Sequence, residues 1–142
     1  MSIGIENPKV GILSIGEEEG KGNELVKESY QLLKEKSEEL DINFVGNVEG
    51  REAFSGEIDA IVTDGFTGNI FLKTLEGSGK FIKLSLIDAL TKNIFTKLGT
   101  ITCLPAINNF KKITDYKEYG GALFLGVKKP VVKAHGSSDE KL

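Results

Sequence analysis

Thiols and soft metal ligands are almost absent: the 142 residues contain one cysteine, Cys103, and one histidine, His135. A single cysteine excludes an internal disulfide framework, and this pair is too small a set for a zinc centre. No metal and no other cofactor is expected. The apolar stretches are short, so none is expected to cross a bilayer. No charged-then-apolar leader opens the chain, and the expected location is the reducing cytoplasm. A hydrophobic content of 39% excludes a disordered tail. The length suits one α/β domain with a real core.

Several site signatures are also missing. Gly16-Glu-Glu-Glu-Gly-Lys-Gly22 resembles a phosphate loop only at first sight. Its Gly20-Lys21 pair sits one place early, and Gly22 stands where a magnesium-binding Ser or Thr belongs. The segment also lacks the third glycine of a dinucleotide fingerprint. His135, Ser137 and Asp139 crowd into five residues, whereas hydrolytic triads draw on separate segments, and no Gly-x-Ser-x-Gly elbow is present. Cys103 carries no nucleophile signature, which favours packing.

Glycine is abundant instead, with 17 residues that follow no repeat and cluster in turns after apolar runs. In α/β proteins such turns carry backbone-lined sites. Charge is uneven. Residues 1–60 carry 14 acidic and 6 basic groups, and residues 61–142 carry 7 acidic and 12 basic. The lysines of the second half form either a solvated face or a surface for an anionic partner.

Hydrophobic spacing predicts strands at 10–15, 42–45 and 59–63, a helix from Asn23 to about Leu40, and a short polar helix at 50–54. That rhythm implies a parallel sheet with crossover helices. A second helical stretch is expected over 69–97, broken or kinked near Gly77 and Gly79, followed by a loop at 99–105 and a short helix at 106–113. Residues 122–127 and 131–134 are expected to be two strands joined by a tight turn at 128–130. Residues 81–113 stand out as an apolar, lysine-bearing helical subregion.

Ligands collect at the carboxyl ends of such strands. This edge would hold Lys21 with Gly20, Gly22 and Asn23; Asn47 with Arg51; Asp64, Thr67, Gly68 and Asn69; and His135 with Ser137. Lys21 at a helix start either binds a small anion or pairs with Glu17, Glu18 and Glu19. Thr67 and Asn69 either cap the next helix or bind a ligand. Asn47 and Arg51 either hold an anion or stabilise their turn, and His135 is either a phosphate-orienting or a structural residue.

Six segments occur in order: Asn-Pro-Lys-Val-Gly-Ile-Leu-Ser-Ile-Gly-Glu-Glu-Glu-Gly-Lys-Gly-Asn-Glu (7–24), Ile-Asn-Phe-Val-Gly-Asn-Val-Glu-Gly-Arg (42–51), Val-Thr-Asp-Gly-Phe-Thr-Gly-Asn (62–69), Leu-Lys-Thr-Leu-Glu-Gly (72–77), Glu-Tyr-Gly-Gly-Ala (118–122) and Lys-Ala-His-Gly-Ser-Ser-Asp (133–139). Together they resemble the bacterial phosphate acyltransferases of fatty acid and phospholipid synthesis, over nearly the whole chain, least so at 81–117. The resemblance implies a three-layer α/β/α sandwich with a mixed, mainly parallel sheet, similar to phosphotransacetylases and isopropylmalate dehydrogenases. It implies a carboxyl-terminal part of a longer family chain. It also implies acyl transfer from acyl carrier protein to inorganic phosphate, a homodimer, peripheral contact with anionic membrane, and no nucleic acid. Lys21 and Asn69 would be catalytic. Gly20, Gly22, Asn23, Asn47, Arg51, Asp64, Thr67, Gly68, His135 and Ser137 would bind phosphate or substrate. Two alternatives stay open: a phosphotransacetylase acting on acyl-CoA, and a non-catalytic piece that dimerises or docks the carrier protein.

Overall fold

The computed structural model describes residues 4–113 and 121–134. The chain divides into two compact units, Met1–Gly77 and Ser78–Leu142.

In the first unit, strand β1 (Lys9–Ser14) leads into helix α1 (Glu24–Lys36), and strand β2 (Asn43–Glu49) follows. A single 3-10 turn (Glu52–Phe54) then precedes strand β3 (Ala60–Val62). All three strands run parallel in the order β2-β1-β3. The α/β class and parallel sheet are as expected, and the arrangement is consistent with an α/β/α sandwich.

The core lies where β1 meets β2, with Ile12, Leu13 and Val48 buried. Gly11 makes this contact possible: a Cβ there would lie 2.2 Å from Val48 Cγ2. Strand β2 extends beyond the expected end at Gly46, because Gly46 is a bulge and not a stop. The register slips so that Val10 faces Phe44 while Gly11 faces Gly46. Gly46 takes φ +96, which glycine adopts freely, and the ladder resumes through Glu49. Tyr30 of α1 meets Phe44 edge-on at 5.3 Å, seating the helix against β2. The inward stripe of α1 is Val26, Ser29, Tyr30 and Leu33; Leu25 and Leu32 are exposed, and the helix stops at Lys36, short of Leu40.

Helix α2 (Gly65–Thr91) starts four residues before its expected beginning and passes straight through Gly77 and Gly79. Each mid-helix glycine costs only ~1 kcal/mol, which does not end a helix. The break falls at Lys92–Asn93 because Asn93 caps the next helix, α3 (Ile94–Ile113). Asn93 Oδ1 accepts from Thr96 N–H at 3.0 Å, and Thr96 Oγ1 accepts from Asn93 N–H at 3.1 Å. This reciprocal pair is a capping box with threonine as its second member. The expected loop at 99–105 is therefore helix, and Pro105 sits inside it.

Strands β4 (Gly121–Leu123) and β5 (Val132–Ala134) are antiparallel. They are shorter than expected, and residues 124–131 replace the tight turn. Phe124 N–H donates to Val131 O at 2.8 Å, which closes the neck of that loop.

Candidate functional site

From central β1 the chain goes through α1 to β2 on one side, then returns to place β3 on the other. The connections after β1 and β3 both leave the carboxyl ends of these neighbouring parallel strands. The carboxyl ends of the strands are where α/β sheets receive ligands. The loop after β1 carries Gly20, Lys21, Gly22 and Asn23. The connection after β3 carries Asp64, Thr67, Gly68 and Asn69. Asn47 and Arg51 belong instead to the end of β2, on the far side of β1. His135 and Ser137 lie outside the described residues.

The β1 loop is held at three points, and its successive glutamates supply them. The Glu17 carboxylate lies 3.6 Å from the Arg51 guanidinium. The Glu18 carbonyl accepts from Asn47 Nδ2 at 2.8 Å and from Lys21 N–H at 2.9 Å. Glu19 accepts from Gln31 Nε2 at 2.7 Å and Lys34 Nζ at 2.9 Å, both on α1. Those bonds hold the Glu19 carboxyl below its ordinary range, the Lys34 bond most, and Glu19 raises Lys34 in turn. The acidic run thus anchors the loop. Lys21 is exposed and has no side-chain partner among the described residues. Its stem crosses Gly16, where a Cβ would come 3.0 Å from Lys21 Cγ.

Asn23 caps α1, its Oδ1 accepting from Val26 N–H at 3.0 Å, as its position predicts. Asp64 caps α2, where sequence reasoning put Thr67 or Asn69. Asp64 Oδ1 accepts from the N–H groups of Phe66 and Thr67 at 2.9 and 2.8 Å, and Thr67 Oγ1 donates to Asp64 Oδ2 at 2.6 Å. With capping assigned to Asp64 and Thr67, Asn69 is exposed and has no side-chain partner among the described residues. Gly68 lets this turn approach β3, since a Cβ there would meet Thr63 Cγ2 at 2.6 Å. One turn on, Phe71 stacks on Phe54 with ring centres 6.0 Å apart and rests over Gly50.

The Thr67 hydroxyl bond, then the Thr67 N–H, hold the Asp64 carboxyl below its ordinary value of 3.8. A depressed carboxylate adds stability above its unfolded pKa, and that stability is lost as pH falls through the folded value. Asp64→Ala is therefore expected to lower the thermal midpoint at pH 7 by a few degrees. The gap from the parent should narrow as pH drops below 3.8, and a pH-independent gap in melts followed by circular dichroism would count against this cap.

The β2 side has the opposite electrostatic character. An open cavity of about 320 Å³ there is lined by Glu17, Glu52 and Glu57 with Asn47, Val45 and Ile58 among others. Asn47 is 6% exposed, and its Oδ1 has no partner among the described residues, as is also true of Ser14 Oγ. Three carboxylates make this cavity hostile to an anion. The sequence signal for that was the density of glutamates around Arg51. No group of three or more His, Cys, Asp or Glu able to hold a metal occurs among the described residues. No described helix is long and apolar enough to cross a membrane.

Residues 1–142 match the model of a family described as "Fatty acid synthesis protein". The chain is 57% identical over 96% of its length to a phosphate acyltransferase of Clostridium perfringens. It is 51% identical over 98% of its length to one of Aquifex aeolicus, and 50% identical over 98% to one of Brevibacillus brevis. It spans about 40% of the length of each of these relatives. A family match over the entire chain accords with the parallel sheet and its two glycine-bearing connections: the chain belongs to the fatty acid synthesis protein family.

Proposed function

We propose that this chain supplies the phosphate and thioester edge of an acyltransferase, which moves a fatty acyl group from acyl carrier protein to inorganic phosphate. The observation that carries the reading is that the connections after the neighbouring parallel strands β1 and β3 carry an exposed lysine and an exposed asparagine, neither with a side-chain partner among the described residues. The names of the relatives, phosphate acyltransferase, support the reaction class.

Phosphate at neutral pH is already a nucleophile, so the site must position it and stabilise charge. A phosphate oxygen attacks the thioester carbonyl carbon; the new C–O bond forms, the C–S bond breaks, and the thiolate leaves to take a proton from solvent. Lys21 holds the anion, with the N–H groups of Gly20 and Gly22 beside it. The Asn69 amide donates to the carbonyl oxygen as it gains negative charge. Asn23, Asp64, Thr67 and Gly68 shape the two turns, and His135 and Ser137 are proposed to orient phosphate. The lysines and exposed apolar side chains of the second unit, Phe81, Phe95 and Leu98 among them, support an acidic carrier protein, a second copy of the chain and an anionic membrane surface as partners.

The test is phosphate-dependent release of free carrier protein from its acyl thioester. Removing one preorganised donor at a developing oxyanion costs ~10²–10³ in kcat. Lys21→Ala and Asn69→Ala are each expected to lose at least about 100-fold while keeping the parent's circular dichroism. Near-normal rates in both variants would overturn the assignment. Equal turnover of an acyl-CoA would move it to the phosphotransacetylase class, and no release by the folded parent would favour a docking role.

A further inference from the structure

We infer that Arg51 is a positioning residue, which clamps the lysine-bearing loop after β1 to the end of β2, and not a ligand for phosphate. The inference rests on the proposed role of Lys21. The Arg51 guanidinium reaches two carboxylates from two directions: Nε lies 2.8 Å from Glu49 Oε2, and an Nη lies 3.6 Å from Glu17 Oε1. Glu49 is the last residue of β2, opposite Ser14 at the end of β1. Glu17 lies in the loop after β1, four residues before Lys21. The arginine therefore joins the strand to the loop across the sheet edge.

Its surroundings disfavour the alternative. Glu17 and Glu49 flank the exposed guanidinium, and Glu52 Oε2 beside them accepts from the Glu49 N–H at 2.9 Å. A phosphate here would have to displace one of these paired carboxylates and face the other. The fork geometry of arginine suits simultaneous pairing with two carboxylates, which a lysine's point charge reproduces only in part. The second anchor next in sequence, Asn47 Nδ2 to Glu18 O, acts from the same strand. Together they hold consecutive loop residues against β2 and leave Lys21 directed by its own turn.

The clamp also explains an imbalance at Glu17. Hydrogen bonding to Glu52, then its charge, raises the Glu17 carboxyl above its ordinary 4.5, while Arg51 pulls it down. Without Arg51 that carboxyl should titrate higher still, which a merely space-filling arginine would not cause.

The experiment compares the parent chain with Arg51→Gln, Arg51→Lys, Glu17→Gln and the double variant Glu17→Gln/Arg51→Gln. Amide exchange over 15–22 is followed without phosphate, and phosphate affinity is measured by titration at ~0.15 M ionic strength, where distant charges are screened. Exposed ion pairs are weak, so Arg51→Gln and Glu17→Gln should each speed loop exchange roughly two- to fivefold. The double variant should exchange no faster than either single one. Arg51→Lys should recover part of the protection, and the Glu17 titration should move upward in Arg51→Gln. Arg51→Gln should weaken phosphate binding in the parent but not in the Glu17→Gln background. Unchanged loop exchange, additive effects, or an equal affinity loss in both backgrounds would overturn the clamp. Normal clamp behaviour in a chain that binds no phosphate would instead remove the phosphate reading and leave the clamp standing.

Discussion

Placing valine at Gly11 is expected to lower the unfolding free energy of the first unit by ~3 kcal/mol or more, near the upper range for overpacked cores. Even the first added carbon has no room. A Cβ at Gly11 would lie 2.2 Å from Val48 Cγ2, 3.2 Å from Val48 Cβ and 3.4 Å from the Gly46 carbonyl oxygen. Val48 cannot turn aside: it is β-branched, so its χ1 is stiff, and it is only 2% exposed. Separation of β1 from β2 would be the alternative, at the expense of the ladder from Lys9–Asn43 to Ser14–Glu49. Among the described residues Ile12, Leu13 and Val48 are the buried apolar core, so the reserve there is small. A loss of ~3 kcal/mol is a large fraction of the 5–15 kcal/mol that domains usually have.

The cause is separable by a second substitution. Val48→Ala removes the obstructing methyl groups, and Gly11→Ala fills part of the space they leave. Each single variant should destabilise, and Gly11→Ala/Val48→Ala should be more stable than the sum of the two by on the order of 1–3 kcal/mol. Urea titrations at constant m-value measure this directly. Additive losses would show that Gly11 is needed for some reason other than its contact with Val48.

How much of this was legible depends on which interactions decide each element. The β1 strand and α1 are decided locally, by a β-branched run closed by glycine and by Asn23 three residues before Val26, so they were readable. The end of β2 was not. Gly46 looks like a stop because nothing local distinguishes a bulge from a terminus; the ladder across to Gly11, Ile12, Leu13 and Ser14 does. The break between α2 and α3 lies away from Gly77 and Gly79 because a polar cap, and not a mid-helix glycine, ends one helix and starts the next. The Asn93 and Thr96 pair carried the signal, four residues from where the apolar pattern fades.

At the site, positions were readable and partnerships were not. That Lys21 and Asn69 follow strands could be seen from spacing. That they follow two neighbouring strands while Asn47 and Arg51 belong to the end of β2, on the other side of β1, needs the order β2-β1-β3. The three glutamates before Lys21 illustrate the difference. Spacing suggests that they neutralise the nearby lysine, yet the fold sends Glu17 to Arg51, the Glu18 carbonyl to Asn47 and Glu19 to α1. Side-chain reach alone allows either outcome.

Gly22→Ala should be the most damaging single-methyl change in the loop itself, destabilising by on the order of 3 kcal/mol and abolishing phosphate-dependent release. Gly22 has φ +99, a conformation that a side chain adopts only with strain. Its added Cβ would also lie 2.6 Å from Val26 Cγ1, 2.8 Å from Val26 Cβ and 3.1 Å from Ser14 Oγ. Relief requires moving either the first turn of α1, which Asn23 caps onto Val26, or the loop that presents Lys21. Both displace the proposed anion site, since the cap, the lysine and the end of β1 meet there. Gly20 supplies the contrast. It has no positive φ, and a Cβ there would meet nothing within 4 Å, so Gly20→Ala should change stability by no more than ~0.5 kcal/mol. Urea unfolding of the two alanine variants, with carrier-protein release measured beside it, checks both halves. Equal stabilities would remove the conformational argument for Gly22, and a destabilised but active Gly22→Ala chain would show that Lys21 needs no fixed loop.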